Sequence, residues 1–321
     1  MSGMIDYTFG FLVMAGIYAV FSLGLNVHWG HTGLFNIGIA AFFALGAYTA
    51  ALLATPAPAA AQFEDFVFGA DLANTLGPAN VGFDLWFPVV LGAAAAVCGI
   101  VALIVGTLTL RLRDDYLAIA TLGLAETVRL VFLNEKWLAN GSRGLYRIPR
   151  VLGDLVTPDR YDMVYFAVVL VVLAVLYLAA QRAAASPWGR VLRSIRENED
   201  TAAAAGKNVP WFKLQAFAFG AAIMGVGGAL FTHGIRFIDP PTFDPLFATF
   251  IIWAMLMVGG SGNHRGAILG AFVVWGIWTG TQFLPGFLGD PNIRHFAIGL
   301  LIVAVLLLRP AGILPETRTR T

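Results

Sequence analysis

Long apolar runs separated by short polar breaks dominate this chain. Nine stretches, 7–28, 32–54, 86–110, 116–134, 162–181, 211–233, 245–261, 266–285 and 292–308, are apolar almost throughout. Most approach the roughly 20 residues that carry a helix across the hydrocarbon layer. They are continuous, not the alternating segments of about 10 residues that build a transmembrane β-barrel. The pattern predicts an all-α polytopic membrane protein with about nine transmembrane helices in one domain over residues 1–321. The run from Tyr7 lacks the basic lead and small-residue cleavage pattern of a removed leader, and reads as the first span.

Glycine modifies that picture in two places. The second segment is punctuated by Gly30, Gly33, Gly38 and Gly46 and contains Asn36. Broken backbone at membrane depth survives only where protein or a water-filled cavity covers it, so this segment is expected to face other helices or the translocation path. Gly225, Gly227 and Gly228 in the sixth segment supply a small-residue face for close helix packing. A G-x7-G spacing shared by Gly30–Gly38 and Gly262–Gly270 hints at an internal repeat.

Composition agrees with the pattern: 58% of residues are hydrophobic and 12% charged, about half the charge of a soluble domain. The partner this implies is the lipid bilayer; no nucleic-acid partner is expected, although the net charge of +1 itself says nothing on that point, since the distribution of sign matters more than the sum. Cys98, alone of its kind, reads as a buried thiol. The distribution of basic residues sets the orientation. With the 182–213 loop in the cytoplasm, twelve basic residues fall inside and seven outside, which predicts an external N-terminus and a cytoplasmic C-terminus. The loops 55–85 and 135–161 are then external, and the first of them carries acidic residues only.

Within 182–213 the polar sequence becomes structured. Ser186-Pro187 is a helix start, a hydroxyl cap followed by proline at the first helical position. Trp188, Val191, Leu192 and Ile195 form an apolar stripe. Arg190, Arg193, Arg196 and Glu197 lie largely away from it, and Glu199, Asp200 and an alanine run lead to Gly206, a predicted left-handed cap. The expectation is a short amphipathic helix, in one or two pieces. A basic helix on the inner leaflet is the plain alternative, but the interspersed acids suit a protein cleft that reads both signs.

Asp200-x-Ala-x3-Gly206 resembles the Glu-Ala-Ala-x3-Gly loop of ABC importer permeases, with Asp200 and Thr201 as departures and the later Ile-x-Leu-Pro part absent. The segments W-G-H-T-G-L-F-N-I-G-I-A-A-F-F-A-L-G-A-Y-T-A (29–50), L-R-L-R-D-D-Y-L-A-I-A-T-L-G-L-A-E-T-V-R-L (110–130), G-G-S-G-N-H-R-G-A-I-L-G-A (259–271) and R-P-A-G-I-L (309–314) resemble the branched-chain amino acid permeases of the LivM type. The resemblance implies a permease subunit in the plasma (inner) membrane. It also implies a second homologous permease, two cytoplasmic ABC ATPases that use the ATP, and an external substrate-binding protein. By the same resemblance the loop is a coupling helix, with Arg193, Arg196, Glu197, Glu199, Asp200 and Gly206 as its ATPase-coupling residues. Related permeases carry urea, short amides and other small polar solutes, so the cargo stays open. An ion-coupled secondary transporter is the alternative from another class.

Remaining candidate chemistry is sparse. Glu126 and Arg129, i and i+3 on the fourth segment, form either a local ion pair or a contact for a zwitterionic solute in the path. His28, His31, His233, His264 and His295 show no metal-ligand spacing and are expected at span ends in polar contacts. Arg147, Arg150, Asp154 and Asp159 are candidates for touching a delivery protein. No G-x4-G-K-[S/T] phosphate loop occurs, so the chain is read as a transport subunit, not an enzyme, with no cofactor of its own.

Overall fold

The structure, a computed structural model, describes residues 2–55, 83–153, 156–157, 160–283, 291–309 and 311–316. Twelve helices follow one another among these residues: α1 (Ser2–Leu25), α2 (Ile39–Ala54), α3 (Phe83–Thr109), α4 (Asp114–Asn134), α5 (Lys136–Ala139), α6 (Tyr161–Ala185), α7 (Pro187–Glu197), α8 (Glu199–Ala204), α9 (Val209–Ile235), α10 (Pro245–Gly259), α11 (His264–Gly280) and α12 (Pro291–Leu308). Among the described residues the strands are limited to a two-residue antiparallel pair, β1 (Leu145–Tyr146) with β2 (Phe237–Ile238).

Each predicted apolar segment contains a helix, but nine full spans are not what the structure displays. Among the described residues five helices are long and apolar enough to cross a membrane: Tyr7–His31, Leu85–Thr109, Asp115–Asn134, Tyr161–Ala185 and Val209–Ile235. Ile39–Ala54, Phe247–Gly259 and Phe296–Val305 are shorter apolar helices. The second segment departs most. At 16 residues, α2 is only about 24 Å long at 1.5 Å per residue. Residues 33–38 ahead of it are unwound, and Asn26–His31 before them are wound as a π-helix.

Helices that are apolar on every side belong at the centre of a bundle, and α1, α2 and α9 sit there. Nearly all of α2 is buried, and α9 packs against α3, α2 and α1. Small residues allow this closeness. A Cβ at Gly225 would lie 2.6 Å from Ala94 O and 2.7 Å from Cys98 Sγ on α3. One at Gly227 would lie 3.0 Å from the Phe21 ring on α1, and one at Gly228 would lie 2.5 Å from Phe43 O on α2. The three glycines thus face three different helices. Gly46 of α2 abuts the Gly225 carbonyl in return. Gly46→Leu is therefore expected to destabilise the bundle by about 3 kcal/mol or more, because the obstacle is backbone and cannot yield. Recovery of monodisperse protein after a heat step, compared with Gly92→Leu, whose Cβ position meets nothing within 4 Å, checks it.

Short connections alternate between the two ends of the bundle. At one end lie α7, α8, the turn Gly260–Asn263 and the tail 311–316, tied together by Arg196–Glu316 and by Asn263 Nδ2 to the Leu314 and Pro315 carbonyls. Arg111, after α3, borders a cavity shared with Asn208 and Trp211 at that end. At the other end β1 and β2 join the stretch after α4 to the stretch after α9. Most of the predicted loop 55–85, at 56–82, and Asp154 and Asp159 lie outside the described residues.

Candidate functional site

The charged segment folds into two short helices at a sharp corner. Pro187 is the first residue of α7 and Ser186 its N-cap. The Ser186 hydroxyl, expected to cap α7 by accepting from its first amides, instead donates back to Ala183 O of the preceding helix at 2.7 Å. Of the apolar stripe, Leu192 and Ile195 are buried. Trp188 donates its indole N–H to Gln215 Oε1 at 2.9 Å. Asn198 separates the two helices and caps α8, accepting from Thr201 N at 2.8 Å. Gly206 ends the element at φ +79°, a left-handed conformation that L side chains rarely adopt.

The predicted coupling residues divide into two sets. Glu197, Asp200 and Gly206 are exposed. Glu199 is also exposed but pairs with Lys213 at the start of α9. An open groove of about 710 Å³ runs between α7 and α8, bordered by Arg190, Val191, Ser194, Glu197, Thr201 and Lys207. Arg193 and Arg196 point elsewhere. Arg193 borders a polar cavity of about 230 Å³ shared with His31, His264 and Glu316. Arg196 reaches the bundle: Nη1 donates to Gly30 O, and Nη2 lies 2.8 Å from Glu316 Oε2 and 3.3 Å from Glu197 Oε1.

Beneath Arg196 is a buried polar cluster that sequence reading did not assemble. Asn26 Nδ2 donates to His264 Nδ1 at 3.0 Å, and Asn26 Oδ1 accepts from Gly262 N at 2.8 Å. With its Nδ1 accepting, His264 presents Nε2–H to His31 Nε2 at 3.2 Å. Asn36 works in the same way on the unwound stretch. Its Nδ2 donates to His28 Nδ1 at 3.1 Å, and its Oδ1 accepts from Gly38 N at 2.8 Å. His28 then gives its Nε2–H to Phe217 O on α9 at 2.8 Å. His28, His31, His233 and His264 are buried, and each takes the polar contact expected of it inside the bundle and not at an interface; the side chain of His295 is outside the described set. A three-residue polar spacing search misses this cluster because its members stand 233 and 238 residues apart.

The unwound stretch also reaches α4 and α10. Ile37 N donates to Thr121 Oγ1 at 3.0 Å, Trp253 Nε1 donates to Asn36 O at 3.0 Å, and Thr249 Oγ1 donates to Ile37 O at 3.1 Å. A Cβ at Gly38 would lie 2.5 Å from Thr121 O. Further along α4, Arg129 closes a two-pronged pair with Glu126, Nε to Oε2 at 2.9 Å and Nη2 to Oε1 at 2.5 Å. The pair is satisfied within one helix, yet 41% of the Glu126 side chain is exposed. The expected G-x7-G repeat brings Gly30 against Gly262 N. The two copies fold differently, since one continues into unwound backbone and the other into α11.

The family described as branched-chain amino acid transport system / permease component matches residues 7–306. The chain belongs to this family. Similar proteins include the high-affinity branched-chain amino acid permease LivM of Salmonella typhimurium, 30% identical over 95% of this chain and 69% of the relative. The probable branched-chain amino acid permease LivM of Methanocaldococcus jannaschii is 28% identical over 97% of this chain and 94% of the relative. The autoinducer 2 import permease LsrC of Photorhabdus laumondii is 26% identical over 59% of this chain and 54% of the relative. No solved structure matches. The permease is thus a multi-pass membrane transport component of the ABC importer class, a class that works with ATPase and binding-protein partners.

Proposed function

We propose that this chain is the membrane-spanning subunit of an ATP-driven importer for branched-chain amino acids. In this reading it pairs with a second homologous permease, two cytoplasmic ATPases and an external binding protein. The α7–α8 end lies in the cytoplasm and the N-terminus outside. The observation that carries the reading is the docked two-helix element, whose outer groove and exposed Glu197 and Asp200 offer a cleft-binding surface while its inner side grips the bundle. The importer then works by alternating access, ATPase closure moving α7 and α8 against the helices behind them. Purification in mild detergent, then reconstitution of the complex with its binding protein and labelled leucine, tests it. ATP-dependent uptake supports the reading, and uptake of urea or a short amide in its place reassigns the cargo. Uptake by the chain alone, without ATP, overturns it in favour of an ion-coupled carrier.

The exposed faces of the peripheral helices suggest where the path lies. On α6 the outer positions Met163, Leu170, Val171, Val175 and Leu178 are apolar, as are Ile100, Leu103, Ile104 and Leu108 on α3. These suit lipid. The exposed positions of α4 include the apolar Tyr116, Ile119, Leu130 and Val131, but between them lie Gly123 and Thr127 beside Glu126, and charge at membrane depth belongs at protein or water. In this reading α4 faces the second permease and the path between them. Glu126→Gln is expected to lower maximal uptake severalfold by loosening Arg129, with a normal yield of the chain. A parallel fall in yield and uptake would return the pair to a purely structural role.

A further inference from the structure

Arg196 reaches from α7 into the bundle beside the junction between the π-helix and the unwound stretch. Its guanidinium spans two acceptors, Gly30 O through Nη1 and Glu316 through Nη2. Its side-chain stem packs on Gly33, where a Cβ would meet Arg196 Cγ at 3.3 Å. Gly30 and Gly33 bracket the junction between the π-helix and the unwound stretch. Helix hydrogen bonds hold the backbone on either side, but residues 33–38 have no such ladder. Displacing α7 therefore acts through Arg196 on backbone that is able to shift.

The far end of the unwound stretch is fastened to α4. Ile37 N bonds Thr121 Oγ1, and Gly38 is in backbone contact with Thr121. Glu316 belongs to a tail that is itself pinned to α10, with Ile313 N bonded to Val258 O and Leu314 N to Gly259 O at 2.9 Å each. The tail thus supplies an anchor for one arm of the guanidinium, while the other arm rests on the Gly30 carbonyl, in the π-helix that leads into the unwound stretch.

We infer that Arg196 is a positioning residue that transmits the motion of α7 through Gly30 to the unwound stretch 33–38, and through Thr121 to α4, with Glu316 as its anchor. The inference rests on the reading of the chain as an ATP-driven permease. A planar fork is needed, because a lysine ammonium presents one point and cannot hold both acceptors in this geometry.

The test uses the complete reconstituted complex with a reporter on α4. Gly123→Cys meets nothing within 4 Å at its Cβ, and the native Cys98 is buried, so labelling reports position 123. In the otherwise wild-type chain, the thiol-labelling rate is expected to differ between ATP-free and ATP-trapped states. With Arg196→Lys added, the complex is expected to assemble and hydrolyse ATP while that difference disappears, and uptake falls about tenfold, the size expected for one lost charge-assisted hydrogen bond. Glu316→Gln, which keeps shape and the Gly30 contact, is expected to give the same loss in weaker form and serves if Arg196→Lys fails to insert. The exchange Arg196→Glu with Glu316→Arg restores an ion pair but leaves Gly30 O without its donor, and is expected not to rescue. Rescue by the exchange, or nucleotide-dependent labelling and normal uptake in Arg196→Lys and Glu316→Gln, overturns the inference while the importer reading stands. Absence of ATP-dependent uptake in the wild type overturns the importer reading, and this inference with it.

Discussion

Reversing the charges at Glu197 and Asp200 is expected to abolish ATP-driven uptake while the chain still inserts and survives purification. Both carboxylates are exposed, and Glu197 is 74% so, beside an open groove. Exposed pairs contribute little to stability, about 0–1 kcal/mol, so the fold has almost nothing to lose. A partner cleft that reads these charges loses attraction and gains repulsion at two positions, and like charges placed together at an interface cost several kcal/mol. Gly206→Pro acts differently. Proline fixes φ near −65° and lacks an N–H, whereas Gly206 sits at φ +79° and donates to Ala203 O at 2.9 Å. The turn between α8 and α9 then has to rebuild. Co-purification of the ATPases and uptake are the measurements. Normal values in both variants would remove the coupling role from this element.

Asn26→Ala is expected to damage the fold itself. One amide satisfies two groups from the α10–α11 turn and α11, the Gly262 N–H and His264 Nδ1, at a site with no exposure. Leaving a buried polar group without a partner costs about 1–3 kcal/mol, and interhelical hydrogen bonds in membranes fall toward the low end. The loss is therefore about 2–4 kcal/mol across the two groups. Asn26→Asp keeps the acceptor for Gly262 but gives up the amide donor to His264, and is expected to fall between. Thermal unfolding midpoints of the three purified proteins check the order. An unchanged midpoint for Asn26→Ala would mean that the cluster is not what holds α1 to α11.

Sequence made some of this legible and hid the rest for definable reasons. Glycines in 30–46 betrayed the broken second segment because unwound, close-packed backbone selects for them directly. Pro187, Gly206 and the mixed charges between them marked the two-helix element α7–α8 through local rules that tertiary contacts left intact, apart from the Ser186 hydroxyl. The residues clustered around Asn26 could not be found this way. Its partners come from remote parts of the chain, and its own neighbours are wound as a π-helix. Asn26 and His31, five apart, would diverge by about 140° on an α-helix, yet here both reach His264. The inward turn of Arg196 was equally hidden, since an arginine off the apolar stripe of an amphipathic helix reads as solvent-facing. Its acceptors, a backbone carbonyl and a distant carboxylate, leave no mark in local pattern.

The unwound stretch bears finally on how the membrane stays electrically tight. An opening in a transmembrane helix ordinarily invites water to its bare amides and carbonyls, and a file of such waters conducts protons. Here the amides of Gly33, Leu34, Asn36, Ile37 and Gly38 are bonded to neighbouring carbonyls, to Thr121 or to the Asn36 side chain, and Trp253 covers the Asn36 carbonyl. Five of the six amides in 33–38 are thus answered within the protein, which leaves little call for water there. A membrane that holds a voltage gains from that, since each amide bonded within the protein is one fewer foothold for a proton-conducting water.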